Sequence, residues 1–304
     1  MTSTVERRAL TTDGSSAAAF GAEEWGVLAG LSLIWGSSFL FIANGLESFH
    51  PFTVGFLRLA LGVSTLSVLS GARATRIERR DWPRVVVLGV VWMALPLTFF
   101  PIAEQWISSA VAGMLNGAMP LMTVAIAAIL LRRRPGRKVI IGLGAGLAGV
   151  VLIAIPSVGG GGSQVRGVLL IALALFCYSL AANLHMPLTQ RYGSLPVQIR
   201  VQAVGAALTA PLGLWHLRHA DPHPVALLSV AALGVLGTGL AFVLAGRLLA
   251  KVGASRGAIV TYLMPVVALV LGALLRDDPV HAVSIAGMAL VLAGAVITGR
   301  ATAH

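Results

Sequence analysis

The sequence predicts an all-α integral membrane protein with ten transmembrane helices, built as two inverted-topology repeats of five helices each. Three observations carry this expectation. The 304 residues are 57% hydrophobic and 11% charged, whereas a soluble domain carries roughly a quarter of its residues charged. Apolar windows of about 20 residues, the length that crosses a bilayer core, recur along the chain. The second half of the chain also repeats the first at a fixed offset.

Taken in order, residues 1–23 are polar, mixed in charge and rich in Ser, Thr and Ala, the composition of a disordered cytoplasmic tail. Arg7 and Arg8 lack the short apolar core and small-residue site that would follow them in a cleaved leader, so none is expected. The apolar windows fall at 25–44, 52–71, 84–103, 108–131 and 138–156, and then at 166–186, 196–217, 224–246, 254–275 and 280–299. Assigning Lys and Arg to alternate sides tests this parse, because cytoplasmic loops hold the excess. Eighteen fall on the side of the N-terminus, among them Arg73, Arg76, Arg79, Arg80 and Arg84, and then Arg132, Arg133, Arg134, Arg137 and Lys138. Only Arg166, Arg218 and Arg276 fall on the other side, and Arg58 stands alone inside a span. Both termini are therefore expected in the cytoplasm, and the net charge of +11 reflects topology, not nucleic-acid binding. A single cysteine, Cys177, excludes a disulfide framework and a cysteine metal cluster.

A shift of 145 residues lays Pro51 on Pro196, Gly89 on Gly234, Pro120 on Pro265, Gly142 on Gly287 and Gly149 on Gly294. GMLNGAMPLMTVAIAAIL then overlies AIVTYLMPVVALVLGALL without a gap. Five spans per unit is an odd number, so the second unit crosses the membrane in the opposite sense. Carriers use this symmetry to open alternately to either side. The expected units are 24–156 and 166–299, joined by a glycine-rich periplasmic linker at 157–165 and followed by a cytoplasmic C-terminus at 300–304. The linker's four glycines are not followed by the Lys-Ser or Lys-Thr of a phosphate-binding loop.

WGSSF at 35–39 with Pro51 and Arg58 downstream, AEQWISSAVAGMLNGAMP at 103–120, MPVVALVLGALL at 264–275 and GMALVLAGAV at 287–296 together resemble the EamA family of the drug/metabolite transporter superfamily. The resemblance covers nearly all of residues 24–299. It implies a multi-pass carrier of the bacterial inner membrane that moves amino acids, related solutes or drugs by alternating access, with export as the direction. The sequence departs from the family where a Gly-Glu pair closes the fourth and ninth spans. Here the pairs are Arg132-Arg133 and Asp277-Asp278, so the acid survives only as Asp278.

Candidate cavity residues are polar or aromatic positions within spans. Arg58 lies about 10 Å along its helix from the outer surface. Its chemistry suits either a clamp on helix-end carbonyls or contact with an anionic or zwitterionic substrate. Asn116 stands four residues before Pro120, and its counterpart Thr261, beside Tyr262, stands four before Pro265. Proline removes a helix hydrogen bond, so these positions either repair kinks or line a cavity with free carbonyls. Trp35, Ser37 and Ser38 in the first span, and Tyr178 and Asn183 in the sixth, suit helix packing or substrate contact. Glu104 is the acid nearest the membrane interior, a solvated rim residue or a carrier of coupled protons. The glycines at 144, 146 and 149 match a dinucleotide fingerprint but follow no strand.

No cofactor, metal site or nucleic-acid partner is expected, and no catalysis. The expected partners are a small-molecule substrate and the lipid bilayer, for a monomer or a homodimer. The alternatives are a membrane scaffold or sensor and a lipid-modifying enzyme. An enzyme of that kind needs acids, histidines or a metal-binding Asp cluster at the membrane face.

Overall fold

The computed structural model describes residues 21–69, 75–132, 134–158, 162–252 and 259–302. Residues 1–20 of the expected tail, linker residues 159–161, Arg73, Arg133, Arg256 and residues 303–304 lie outside the described residues. Among the described residues every regular element is helical. The principal helices are α1 (Ala22–Gly45), α2 (Pro51–Ser67), α3 (Arg79–Ala103), α4 (Ser109–Leu130), α5 (Arg137–Pro156), α6 (Gln164–Leu184), α7 (Ser194–Leu217), α8 (Pro224–Leu248), α9 (Ile259–Leu275) and α10 (Ala282–Arg300). Among the described residues, α1, α3, α4, α5, α6, α8 and α10 are long and apolar enough to cross a membrane, whereas α2 and α9 are shorter apolar helices. At 24 residues α7 is as long as these, but Gln198, Arg200 and Gln202 make it more polar. The chain is thus a multi-helix protein with at least seven candidate spans.

Local chemistry sets where the helices begin. Helix α2 opens with Pro51 in its first turn, where a missing N–H costs nothing, and the His50 ring accepts from the Phe52 N–H. Helix α8 opens in the same way, with Pro224 in its first turn and the His223 ring accepting from Ala226 N. Ser108 caps α4 by accepting from Val111 N. Helix α1 breaks for one turn at Ser37, and α4 at Gly117 and Ala118, just ahead of Pro120. Residues flanking both breaks, Trp35 and Ser38 in α1 and Asn116 and Met119 in α4, line the interior cavity described below.

Two helices widen into π-helical turns, at Gly89–Ala94 in α3 and Leu233–Leu240 in α8. Gly89 and Gly234 are the pair that the 145-residue shift superposes. Helices α5 and α10 pack back to back. A Cβ on Gly142 would lie 2.7 Å from the Gly294 carbonyl, and one on Gly149 would lie 2.5 Å from that of Gly287. Only glycine permits this backbone approach, so Gly142, Gly149, Gly287 and Gly294 form a packing seam. The opposite face of α5 exposes Ile140, Ile141, Leu147 and Val151. An apolar face of that extent fits a lipid surround.

The largest core cluster surrounds Phe39, Ile42, Phe100, Met114 and Leu115, and a second one forms around Leu59, Leu88, Met93 and Val201. Between them lies the site.

Candidate functional site

A cavity of about 210 Å³ lies between the two halves of the chain, lined from α1, α2, α3, α4, α6, α8 and α9. Of the residues singled out in the sequence, Trp35, Ser38, Arg58, Asn116, Tyr178 and Thr261 face it. The other five sit elsewhere. Ser37 donates to the Ile34 carbonyl in its own helix. Asn183 donates to the Ser179 and Thr123 carbonyls, tying α6 to α4. The Tyr262 hydroxyl points to the Ala295 carbonyl on α10. Pro265 packs against Gly117, and Pro120 opens the second segment of α4 behind the lining.

The π turn of α8 organises the polar wall. Widening to five-residue spacing takes carbonyls out of the ordinary helix pattern, and three carbonyls of this turn accept from side chains. The Thr238 hydroxyl donates to the Leu233 carbonyl, five residues back, at 2.9 Å. Trp35 Nε1 donates to the Gly237 carbonyl at 3.0 Å and Gln202 Nε2 to the Thr238 carbonyl at 2.8 Å. The Thr238 hydroxyl in turn accepts from Arg58 Nε at 2.9 Å. Arg58 is 8% exposed. Its Nε therefore clamps α2 to α8, and Arg58 also lines the cavity.

The rest of the wall is aromatic and thioether. Phe242 meets Trp35 and Trp92 edge-on, with centroids 5.7 and 5.8 Å away, and Phe100 meets Phe39 and Tyr178. Met93, Met119 and Met264 fill the spaces between the rings. The sequence reading missed Trp92, Thr238 and Phe242. The available signal was the glycine pair Gly89 and Gly234, since each π turn that contains one brings Trp92 or Thr238 to the cavity wall.

One end of the cavity is closed by contacts between the halves. Helices α4 and α9 meet there through small residues: a Cβ on Gly113 would overlap Ala268, and one on Gly272 would lie 3.0 Å from Ala110. Asp278 Oδ2 accepts from the Ser109 hydroxyl at 2.6 Å and from Ala110 N at 2.9 Å, so an acid of the second half caps a helix of the first. Arg276 joins Glu47 at 2.6 Å and the Asn44 side-chain oxygen at 2.7 Å. Glu104 lies beside this closure. Both of its carboxyl oxygens are buried and have no hydrogen-bond partner among the described residues.

The backbone also accounts for the departure from the Gly-Glu pairs. Arg132 and Asp277 both adopt left-handed φ, at 49° and 52°, one residue type that tolerates this poorly and one that tolerates it better. A glycine fits that turn without cost, and the acid that follows it, Asp278, reaches the cap of α4. Arg133, the residue at the corresponding place in the first half, lies outside the described residues. No group of three or more metal-ligating side chains occurs among the described residues.

Known proteins resemble this chain along most of its length. An uncharacterized transporter of Archaeoglobus fulgidus is 26% identical over 278 residues, 91% of this chain and 99% of that protein. A probable terminal-alkyne amino-acid exporter of Streptantibioticus cattleyicolor is 25% identical, over 88% of this chain and 90% of its own length. A solved crystal structure superposes with a TM-score of 0.63 at 22% identity, over 91% of this chain and 96% of that one, a likeness of fold alone. The sequence pattern of the EamA-like transporter family matches residues 25–155 and 165–300, and the chain belongs to that family.

Proposed function

We propose that this protein is a ten-span carrier of the bacterial inner membrane that exports small organic solutes of amino-acid size by alternating access. The observation that supports it best is the cavity between the two halves, closed at one end by Asp278 and Arg276. Helices α4 and α9 touch from Ala110 and Gly272 to Gly117 and Pro265, and Asn116, Met119, Thr261 and Met264, within or beside that contact, line the cavity. A hinge of this kind, with small residues at the contact and prolines at its end, lets one gate close as the other opens. The volume is below the roughly 300–1,000 Å³ that holds drug-sized ligands, which favours metabolites over drugs. Loop charge supports cytoplasmic termini, with the Asp278 end facing outward. Export is favoured by the relative named as an amino-acid exporter.

Glu104 is the candidate for proton coupling. An ionised carboxylate buried without a hydrogen-bond partner loses its hydration and gains nothing in return, and a bound proton removes that penalty. A scaffold or sensor has no need of such a group beside a gated cavity.

The test is solute release from cells with and without the gene, followed by flux of each hit in proteoliposomes. Net flux driven by a pH gradient is expected to disappear in Glu104→Gln while exchange persists. Flux indifferent to the gradient and unchanged by Glu104→Gln would refute the coupling. A protein that moves no solute under any gradient would refute the carrier.

A further inference from the structure

Among the described residues one charged side chain lines the cavity, and it is a cation. Arg58 is 8% exposed, and its single hydrogen bond among the described residues runs from Nε to Thr238. Arg58 lines the cavity, and its two terminal nitrogens, with four N–H donors in one plane, make no hydrogen bond among the described residues. Among the described residues no aspartate or glutamate lines the space. Glu104 is the acid whose field reaches Arg58, but its carboxyl lies outside the lining and makes no bond to the arginine.

We propose that the cavity selects amphipathic organic acids, monocarboxylates with an apolar or aromatic body, over zwitterions and amines of the same shape. The proposal rests on the carrier reading above and names its substrate class. Three features support it. A guanidinium fork with its terminal donors unused matches a carboxylate in two parallel hydrogen bonds. A buried cation that no carboxylate bonds to is costly, so a ligand that brings a carboxylate to it gains more than one that is neutral overall. The remaining lining is Trp35, Trp92, Phe242, Tyr178 and methionines, which accept an apolar ring or chain. An ammonium group would meet the neutral oxygens of Ser38, Asn116, Tyr178, Thr238 and Thr261 and the aromatic faces, but no carboxylate among the described residues to neutralise it. A zwitterion thus gains at one end and loses at the other. A free amine is repelled by Arg58.

Three probes with one body separate these cases: 3-phenylpropionate, phenylalanine and phenethylamine, measured by thermal shift and by competition binding on the intact protein in lipid nanodiscs. Phenylpropionate is expected to bind about tenfold more tightly than phenylalanine, and phenethylamine not measurably. Arg58→Gln is expected to abolish the preference, with Arg58→Lys in between because a lysine keeps the charge and loses the fork. If the arginine variants fail to fold, the rank order in the unaltered protein decides, together with Asn116→Asp, which should narrow the gap by giving the ammonium a partner. Equal or tighter binding of phenylalanine or phenethylamine, binding of none of the three, or a preference that survives Arg58→Gln would each overturn the proposal. Transport distinguishes the two readings. Anion-selective binding without flux leaves this inference standing and removes the carrier, whereas flux of phenethylamine alone does the reverse.

Discussion

The two ends of the helix bundle are joined by equivalent stretches of chain and opposite chemistry. At one end the Tyr192 hydroxyl donates to Asp81 at 2.7 Å, Arg191 reaches the same carboxylate at 2.9 Å, and Arg191 also pairs with Glu78. The Glu78 amide in turn meets the Tyr192 hydroxyl. At the other end Glu47 pairs with Arg276 and with the His223 ring, and the His223 amide meets the Ser48 hydroxyl. Glu78 and His223 are 145 residues apart, as are Glu47 and Tyr192. The Asp81 side chain is 7% exposed and that of Glu47 is 45% exposed. Equal position in the chain therefore does not mean equal strength. The dry Tyr192–Asp81 bond resists water and salt, whereas Glu78 and Arg191, 51% and 39% exposed, and the wet Glu47 pairs yield to both.

The largest expected effect breaks the dry cluster. Tyr192→Phe removes the hydroxyl that serves both Asp81 and the Glu78 amide, and its melting temperature in detergent should fall by about 5 °C. Glu47→Gln at the wet end should shift it by no more than about 2 °C, and added salt should erase even that difference. Equal losses at the two ends would mean that exposure does not rank the clusters.

Next comes the cap that closes the Glu47 end. Asp278→Ala leaves the first turn of α4 without its acid, which should favour opening there. A cysteine placed at Ala112, fully buried beneath the cap, should then react with an impermeant maleimide about tenfold faster than in the parent carrying the same cysteine. An unchanged rate would show that α4 and α9 stay shut without Asp278.

The two left-handed turns sharpen the comparison from the backbone side. Arg132→Gly should stabilise by about 1 kcal/mol, and Asp277→Gly by less, because aspartate tolerates this conformation better than arginine. A larger gain at Asp277 would reverse the strain argument.

The smallest effect is a pH dependence confined to the Glu47 end. His50 stacks on His216 with ring centroids 3.6 Å apart. Partial burial, and then the His216 charge, hold the His50 imidazole below its ordinary value of 6.5. The unfolded chain then binds the proton more readily than the folded one. This contribution to stability is complete above about pH 6.5 and is lost as the pH falls through the lower folded value. His50→Gln should flatten the melting temperature between pH 7.5 and 5.5 by a degree or so. A slope that persists in the variant would assign it to other groups.

The sequence by itself determined the helical class, the positions of the apolar windows, the 145-residue repeat and the family, because hydropathy, loop charge and glycine spacing are properties of a linear string. It also picked out Arg58 and Asn116, since a charge or an amide among aliphatic residues is conspicuous without coordinates. Tertiary structure decided which conspicuous residues meet. Asn183 and Tyr262 read like Tyr178 and Thr261 in one dimension, yet rotation about the helix turns the first pair to neighbouring helices and the second to the cavity. Trp92 and Thr238 entered because π turns rotate α3 and α8 away from ordinary helical phase, a register shift that periodicity cannot report. Asp278 was legible as an acid in a loop. Only the fold brings it to the first turn of α4, 169 residues away in sequence, where unpaired N–H groups give a carboxylate its partner.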